Sequence, residues 1–196
     1  MHEPLPGQHP NQSHWRVSLG LTLLYAALGV PAAIAHRNGL ATLPVWPILQ
    51  ALVLAVPLIA MSVVDLRSFR LPDALTLPLL ILGLARTRLE DPTAQLDHGI
   101  AAVLGYTLLA SLAYVYMRLR NRRGLGLGDA KLMAASGAWL GTDGLLSSLL
   151  LASFSALAFV LLGPRDGQPL SGQTKIAFGP FLALGIWLTW LYGPLI

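Results

Sequence analysis

The stretch Gly124-Leu125-Gly126-Leu127-Gly128-Asp129-Ala130-Lys131-Leu132-Met133 sets a carboxylate in a glycine-rich entry to an apolar run. Glycines at 124, 126 and 128 accept backbone angles closed to other residues and let another chain approach closely. A substrate backbone can therefore lie against this turn with Asp129 beside it. The plainer assignment is a helix cap, with Asp129 accepting from the first free N–H groups of the helix that follows. A second carboxylate bears on the choice. Asp65 ends the apolar run Pro47 to Val64, just ahead of Leu66-Arg67-Ser68-Phe69-Arg70. A helix C-terminus disfavours negative charge, so an Asp there gains nothing from the helix dipole. Two carboxylates brought together can share one proton, one acting as general base on a water while the other polarises a carbonyl.

Composition fixes the setting of this pair. Of 196 residues, 55% are hydrophobic and 11% charged, against roughly 25% charged in soluble domains. Several runs approach the about 20 apolar residues that a membrane-crossing helix needs, with little left for a soluble domain. The expected fold is all-α, a polytopic helical membrane protein of six to seven membrane segments. There are no cysteines, which excludes disulfides, thiol catalysis and cysteine-ligated zinc. Histidines 2, 9, 14, 36 and 98 form no pair at metal-ligand spacing, so neither a metal nor another cofactor is expected. The net charge of +4 does not point to nucleic acid, because the basic residues sit in short loops between apolar runs, where they orient a membrane protein.

Residues 1–14, polar and rich in Pro, His and Gln, are expected to be a disordered cytosolic tail, and 15–196 a single membrane-embedded domain. The first span runs from about Trp15 to Ala35; Ala33-Ile34-Ala35 resembles a small-residue cleavage site, but the apolar stretch is long for a signal-peptide core. The second runs from Val45 to Val64, and a third, of modest length, from Ala74 to Ala85. Leu71-Pro72-Asp73 separates these two, and Asp73 is expected to cap the helix that follows. After the polar segment Arg86 to Asp97 comes a fourth span, His98 to Met117, then a basic loop and the glycine turn. Ala130 to Leu140 would cover only about 17 Å as a helix, short of a hydrocarbon core near 30 Å, so it is either half-spanning or buried among other helices. Gly141-Thr142-Asp143-Gly144 breaks the run, and further spans follow at Leu145 to Leu162 and Ile176 to Leu195. Whether residues 130–162 cross once or twice stays open at this stage. With the N-terminus in the cytosol and seven crossings, ten basic residues fall inside and three (Arg37, Arg86 and Arg88) outside. That split follows the positive-inside bias and puts Asp65 and Asp129 on the cytosolic face.

These residues resemble the type IV prepilin peptidases, a family of GxGD-type intramembrane aspartyl proteases. Asp65 with Leu71-Pro72-Asp73 resembles the family's first-aspartate segment, and Gly126-Leu127-Gly128-Asp129-Ala130-Lys131-Leu132 its second-aspartate motif. Ala177-Phe178-Gly179-Pro180-Phe181 resembles a late segment that usually reads Pro-Phe-Gly-Pro-Phe. The ordered set covers about residues 45–195. The resemblance implies an aspartic endopeptidase of the bacterial inner membrane. Such an enzyme removes the short basic leader from prepilins or pseudopilins of type IV pilus and type II secretion systems at the cytosolic face. It implies Asp65 and Asp129 as the catalytic pair, with Gly126, Gly128, Lys131, Pro72, Asp73, Gly179 and Pro180 binding substrate or supporting the site. Its partners are a prepilin substrate and the bilayer.

This chain departs from the family in two places. Many members also methylate the new N-terminus and carry a loop with paired Cys-x-x-Cys zinc ligands; here there is no cysteine and only about eight residues between the first two spans. The compact form is more similar to a peptidase-only branch. Ala177 replaces the usual proline. The basic cytosolic loops match poorly with a basic leader and serve topology instead. Lys131, two residues from Asp129, does not share its helix face and reads as a lysine reaching for the interface. Trp139, Trp187, Trp190 and Tyr192 mark interfaces or packing, and Ser136 and Ser153 lack a nearby base, which argues against a serine protease. Two other classes remain: a small proton- or cation-coupled transporter, disfavoured by the lack of two similar halves, and a catalytically silent homologue that holds pilins.

Overall fold

The computed structural model describes residues 45–120, 126–162 and 177–195. The expected tail, the first span with its Ala33-Ile34-Ala35 site, and Gly124 lie outside these. All regular structure among the described residues is helical: α1 (Val45–Ser68), α2 (Asp73–Glu90), a short 3-10 turn (Pro92–Ala94), α3 (Gln95–Arg120), α4 (Leu127–Leu162) and α5 (Gly179–Tyr192). Leu49–Ser68, Pro92–Arg120 and Leu127–Leu161 are long and apolar enough to cross a membrane, and Gly179–Tyr192 is a shorter apolar helix.

Helix α4 is not one rod. Gly141 takes φ 71° and ψ −172°, angles open only to glycine at low cost. The Ser136 and Ser148 hydroxyls meet at 2.8 Å, whereas twelve residues of continuous helix would hold them about 18 Å apart. The chain thus folds back at Gly141 into a first arm, residues 127–140, and a second, 142–162. The first arm is the centre of the molecule, with Ala130 and every residue from Leu132 to Trp139 buried. Of the two expectations for Ala130 to Leu140, burial among other helices is what the fold realises.

The free N–H groups at the start of the second arm need acceptors, and Asp97 of α3 supplies them. Its carboxylate accepts from Thr142 N at 3.1 Å and Thr142 Oγ1 at 2.7 Å. Beside it, His98 Nδ1 lies 3.0 Å from the Ala138 carbonyl and 3.1 Å from Thr87 Oγ1. Trp139 donates its indole N–H to Leu79 O at 2.8 Å, and the Arg86 guanidinium, itself paired with Glu90 at 2.8 Å, lies over the indole ring. A polar end is thereby built from α2, α3 and the α4 reversal, with Gln50 of α1 donating to Glu90.

Apolar burial alone does not hold helices together in lipid, because acyl chains are as apolar as leucine; close packing of small residues does. Glycines 137 and 185 carry that packing. A Cβ on Gly137 would stand 2.3 Å from the Ala101 backbone carbon, and one on Gly185 2.2 Å from the Ser148 carbonyl oxygen. Around these contacts Leu54, Leu58, Met61, Leu79, Leu132, Met133, Leu182 and Ile186 are fully buried. Trp139, Trp187 and Trp190 are buried as well, the last two stacked at 5.4 Å, so their role is packing rather than marking an interface. Tyr192 alone of that aromatic set is exposed.

Helix α1 closes through Phe69, whose N–H donates to Asp65 O at 2.8 Å with φ at 51°. This closing position usually holds glycine. Asp73 does not cap α2 as its position suggested. The N-cap is Pro72, without a side-chain bond, and Asp73 lies in the first turn with its carboxylate drawn to Lys131 of α4.

The packing yields a paired prediction. Gly137→Ala drives a Cβ into backbone and is expected to cost about 1–3 kcal/mol. Gly99, on α3, has nothing within 4 Å of its added Cβ. Gly99→Ala is therefore expected to be neutral or stabilising by up to about 1 kcal/mol. Thermal melts of both variants in one detergent check the contrast.

Candidate active site

Four chain segments meet at the end of the bundle opposite the Asp97–Thr142 contact. Helix α1 arrives there with Asp65 in its last turn, and the connection Leu71-Pro72-Asp73 starts α2 away from it. The first arm of α4 and helix α5 both begin there, with Asp129 and Gly179 respectively. The ends of these helices are polar by necessity, since each start leaves N–H groups unpaired, and both aspartates use such groups.

Asp65 is buried, 4% exposed, and its Oδ2 accepts the Gly179 N–H at 2.9 Å. The fit is tight: a Cβ on Gly179 would stand 2.7 Å from that same oxygen. Pro180 at the next position has no N–H to leave unpaired and suits the first turn of a helix. The late glycine-proline segment is thus the hydrogen-bond donor to the first aspartate, across 114 residues of sequence.

Asp129 is 7% exposed. It lies in the first turn of α4, where its Oδ2 accepts the Gly126 N–H at 3.3 Å while its own N–H donates to Gly126 O at 3.2 Å. That reciprocal pair closes the turn into α4, with Asp129 reaching back to the residue before the helix rather than accepting from the N–H groups that follow it. It does not consume the side chain, because Oδ1 is buried with no hydrogen-bond partner among the described residues. Asp65 lies within electrostatic reach of it.

Two contacts tie the segments carrying these carboxylates. Lys131 Nζ donates to both Asp73 oxygens, at 2.6 and 2.7 Å. Lys131 thus reaches neither solvent alone nor Asp129 but the acid of the Leu71-Pro72-Asp73 segment. A Cβ on Gly128 would stand 2.9 Å from Leu71 Cβ, so the glycine lets the α4 entry rest against that segment. Of the residues singled out in the sequence, Asp65, Asp129, Gly126, Gly128, Lys131, Pro72, Asp73, Gly179 and Pro180 all lie at this end. The Lys131–Asp73 pair was not legible beforehand, although opposite charges in two adjoining motifs were its available signal. Ser136 and Ser153 lie elsewhere, bonded to Ser148 and the Leu149 carbonyl. No group of three or more His, Asp or Glu side chains suited to a metal ion occurs among the described residues.

The arrangement offers two buried carboxylates beside a glycine turn, each accepting a helix-start N–H, and one of them keeps an oxygen without a partner among the described residues. Such a pair can bind a water between its oxygens and pass a proton. The Type IV leader peptidase family model matches residues 52–161, which include both aspartates. Among curated proteins, the prepilin leader peptidase/N-methyltransferase of Aeromonas hydrophila is 39% identical over 176 residues, covering 87% of this chain and 57% of the relative. That of Dickeya chrysanthemi is 40% identical over 171 residues, covering 87% and 57%. That of Xanthomonas campestris pv. campestris is 37% identical over 150 residues, covering 76% and 51%. The chain spans about half the length of these relatives. No solved structure matches it. From the family match across both aspartate segments and from these relatives, the chain belongs to the type IV leader peptidase family.

Proposed function

We propose that the chain is an aspartic endopeptidase that cuts the leader from prepilins or pseudopilins, with Asp65 and Asp129 as its catalytic pair and residues 45–195 as its core. The observation that carries this reading is the placing of both aspartates at one end of the bundle, each held by the backbone of a helix start. The pair shares one proton. The ionised carboxylate takes a proton from water as that water attacks the scissile carbonyl carbon; the protonated one gives its proton to the carbonyl oxygen. Collapse of the tetrahedral adduct breaks the C–N bond and returns a proton to the leaving amine. The Oδ1 of Asp129 suits this exchange, since no donor among the described residues holds it.

Charge placement supports a cytosolic site in the inner membrane. Arg67, Arg70, Arg118, Arg120 and Lys131 belong to the site end, while Arg86 and Arg88 share the other with Glu90, Asp91, Asp97 and Asp143. Positive charge is retained on the cytosolic side of membrane proteins. Gly126, Gly128, Pro72 and Pro180 act as supports that leave room for a substrate backbone, and Lys131 with Asp73 sets the spacing of the two aspartate segments.

Leader removal from a co-expressed prepilin, read as a mobility shift, tests the assignment. Asp65→Asn and Asp129→Asn are each expected to abolish cleavage while membrane insertion stays near that of the wild type. Near-full cleavage by either variant would remove that residue from the mechanism. Binding of prepilin without cleavage by the wild type would favour a silent homologue, and ion-dependent flux a transporter.

Two supports give graded outcomes. Lys131 and Asp73 are 31% and 57% exposed, and an exposed pair contributes about 0–1 kcal/mol to stability. Lys131→Gln is therefore expected to shift the melting midpoint little while slowing cleavage at saturating substrate, and the exchange Asp73→Lys with Lys131→Asp to restore part of the rate. Gly179→Ala, whose Cβ meets Asp65 Oδ2, is expected to lower kcat by at least about tenfold, roughly the 1.4 kcal/mol of one misplaced hydrogen bond. Steady-state kinetics on a detergent-solubilised prepilin separate these effects.

A further inference from the structure

The turn between α1 and α2 holds four consecutive exposed residues, Arg67, Ser68, Phe69 and Arg70, beginning two positions after Asp65. Phe69 is the only described residue other than glycine with a positive φ, at 51°. Left-handed backbone is disfavoured for a side chain with a Cβ, and glycine would close the helix here without strain. Packing does not repay the strain, because the ring is 52% exposed. Strain kept at a site without a packing return points to a role for the side chain outside the fold.

The flanking residues say what that role is. Arg67 and Arg70 form no ion pair among the described residues. Ser68 pins the turn by donating to Val64 O at 2.9 Å. An aromatic ring between two unpaired guanidinium groups, one step beyond an apolar helix, has the chemistry of the bilayer interface. There rings settle at headgroup level, and arginines bind phosphate oxygens in a bidentate fork. Arg118 and Arg120 add positive charge at this end, while Lys131 is paired with Asp73. An anionic surface is drawn to such unpaired cationic groups.

The geometry points to the Arg67-Ser68-Phe69-Arg70 turn as a docking site for anionic phospholipid headgroups, with Phe69 inserted beside them, setting the depth of the α1 terminus that carries Asp65. This inference stands apart from the peptidase reading, and its test does not use cleavage.

The absence of cysteine makes the test direct. Phe69→Cys, labelled with an environment-sensitive fluorophore, places the only thiol adduct in the chain on the turn. In vesicles of phosphatidylcholine mixed with phosphatidylglycerol, the label is expected to emit further to the blue than in phosphatidylcholine alone. Its quenching by neutral acrylamide is expected to fall severalfold. Raised salt should narrow the difference. Arg67→Gln with Arg70→Gln should abolish it, and Arg118→Gln with Arg120→Gln should leave most of it. Equal quenching in the two lipids, or a difference that survives loss of Arg67 and Arg70, overturns the proposal. So does protection that appears in phosphatidylcholine alone on adding a basic-leader peptide, which would assign the turn to substrate. As a second measurement, Phe69→Gly is expected to leave the melting midpoint in detergent unchanged or raised, because glycine relieves the backbone; a marked fall would make Phe69 a packing residue and remove the basis of the inference.

Discussion

The reversal at Gly141 is the constraint on which the arrangement rests. A residue at φ 71° and ψ −172° turns an apolar run that would otherwise form a single rod into two arms packed against each other through Ser136 and Ser148. With a straight α4, helix α5 would have no arm to lie on, since Gly185 packs against Ser148 and Ala152 of the second arm. Without α5 at that position, Asp65 would lose the Gly179 N–H. A backbone angle at one end thus governs a carboxylate at the other. Asp97 secures the turn by accepting from Thr142, a carboxylate from one helix satisfying the start of another.

The short first arm also bears on the depth at which Asp129 lies. From Asp129 to Gly141 is about 18 Å of helix, while an ordinary hydrocarbon core is about 30 Å thick. If the polar turn with Asp97, His98 and Thr142 lies at one surface, Asp129 falls about 12 Å short of the other. Either the bilayer thins around this end or water reaches inward to the carboxylates along the polar helix starts. Buried polar groups without partners are costly in lipid, and here each aspartate brings at least one backbone donor with it.

Much of this was legible in the sequence, and the boundary between what was and what was not is physical. The glycine turn, the carboxylate at the end of α1 and the glycine-proline start of α5 are local signals, each written in a few adjacent residues. Parity of apolar runs sufficed to put Asp65 and Asp129 on one side, because each helix must cross or return. Contacts between distant segments were not legible. Lys131 read as a solitary interfacial lysine, Asp73 as a cap, and nothing in their separate neighbourhoods announces an ion pair across 58 residues. The hydrogen bond from Gly179 was hidden for the same reason: the motif was visible, but which carboxylate it faces depends on helix direction. Phe69 gave no sign at all, since a positive φ at phenylalanine runs against residue preference and is visible only in three dimensions.

The bond from Gly179 to Asp65 carries an implication for biogenesis. Its partners are 114 residues apart, and α5 is the last helix among the described residues. Chains are made from the N-terminus, and long-range contacts form only after the loops between them have closed. Asp65 therefore enters the membrane well before its donor is synthesised and must wait, protonated or wet, through the insertion of three intervening helices. The surroundings of Asp65 are complete in space only once α5 has packed onto the second arm of α4, so this end of the bundle takes its folded form late in the making of the described helices.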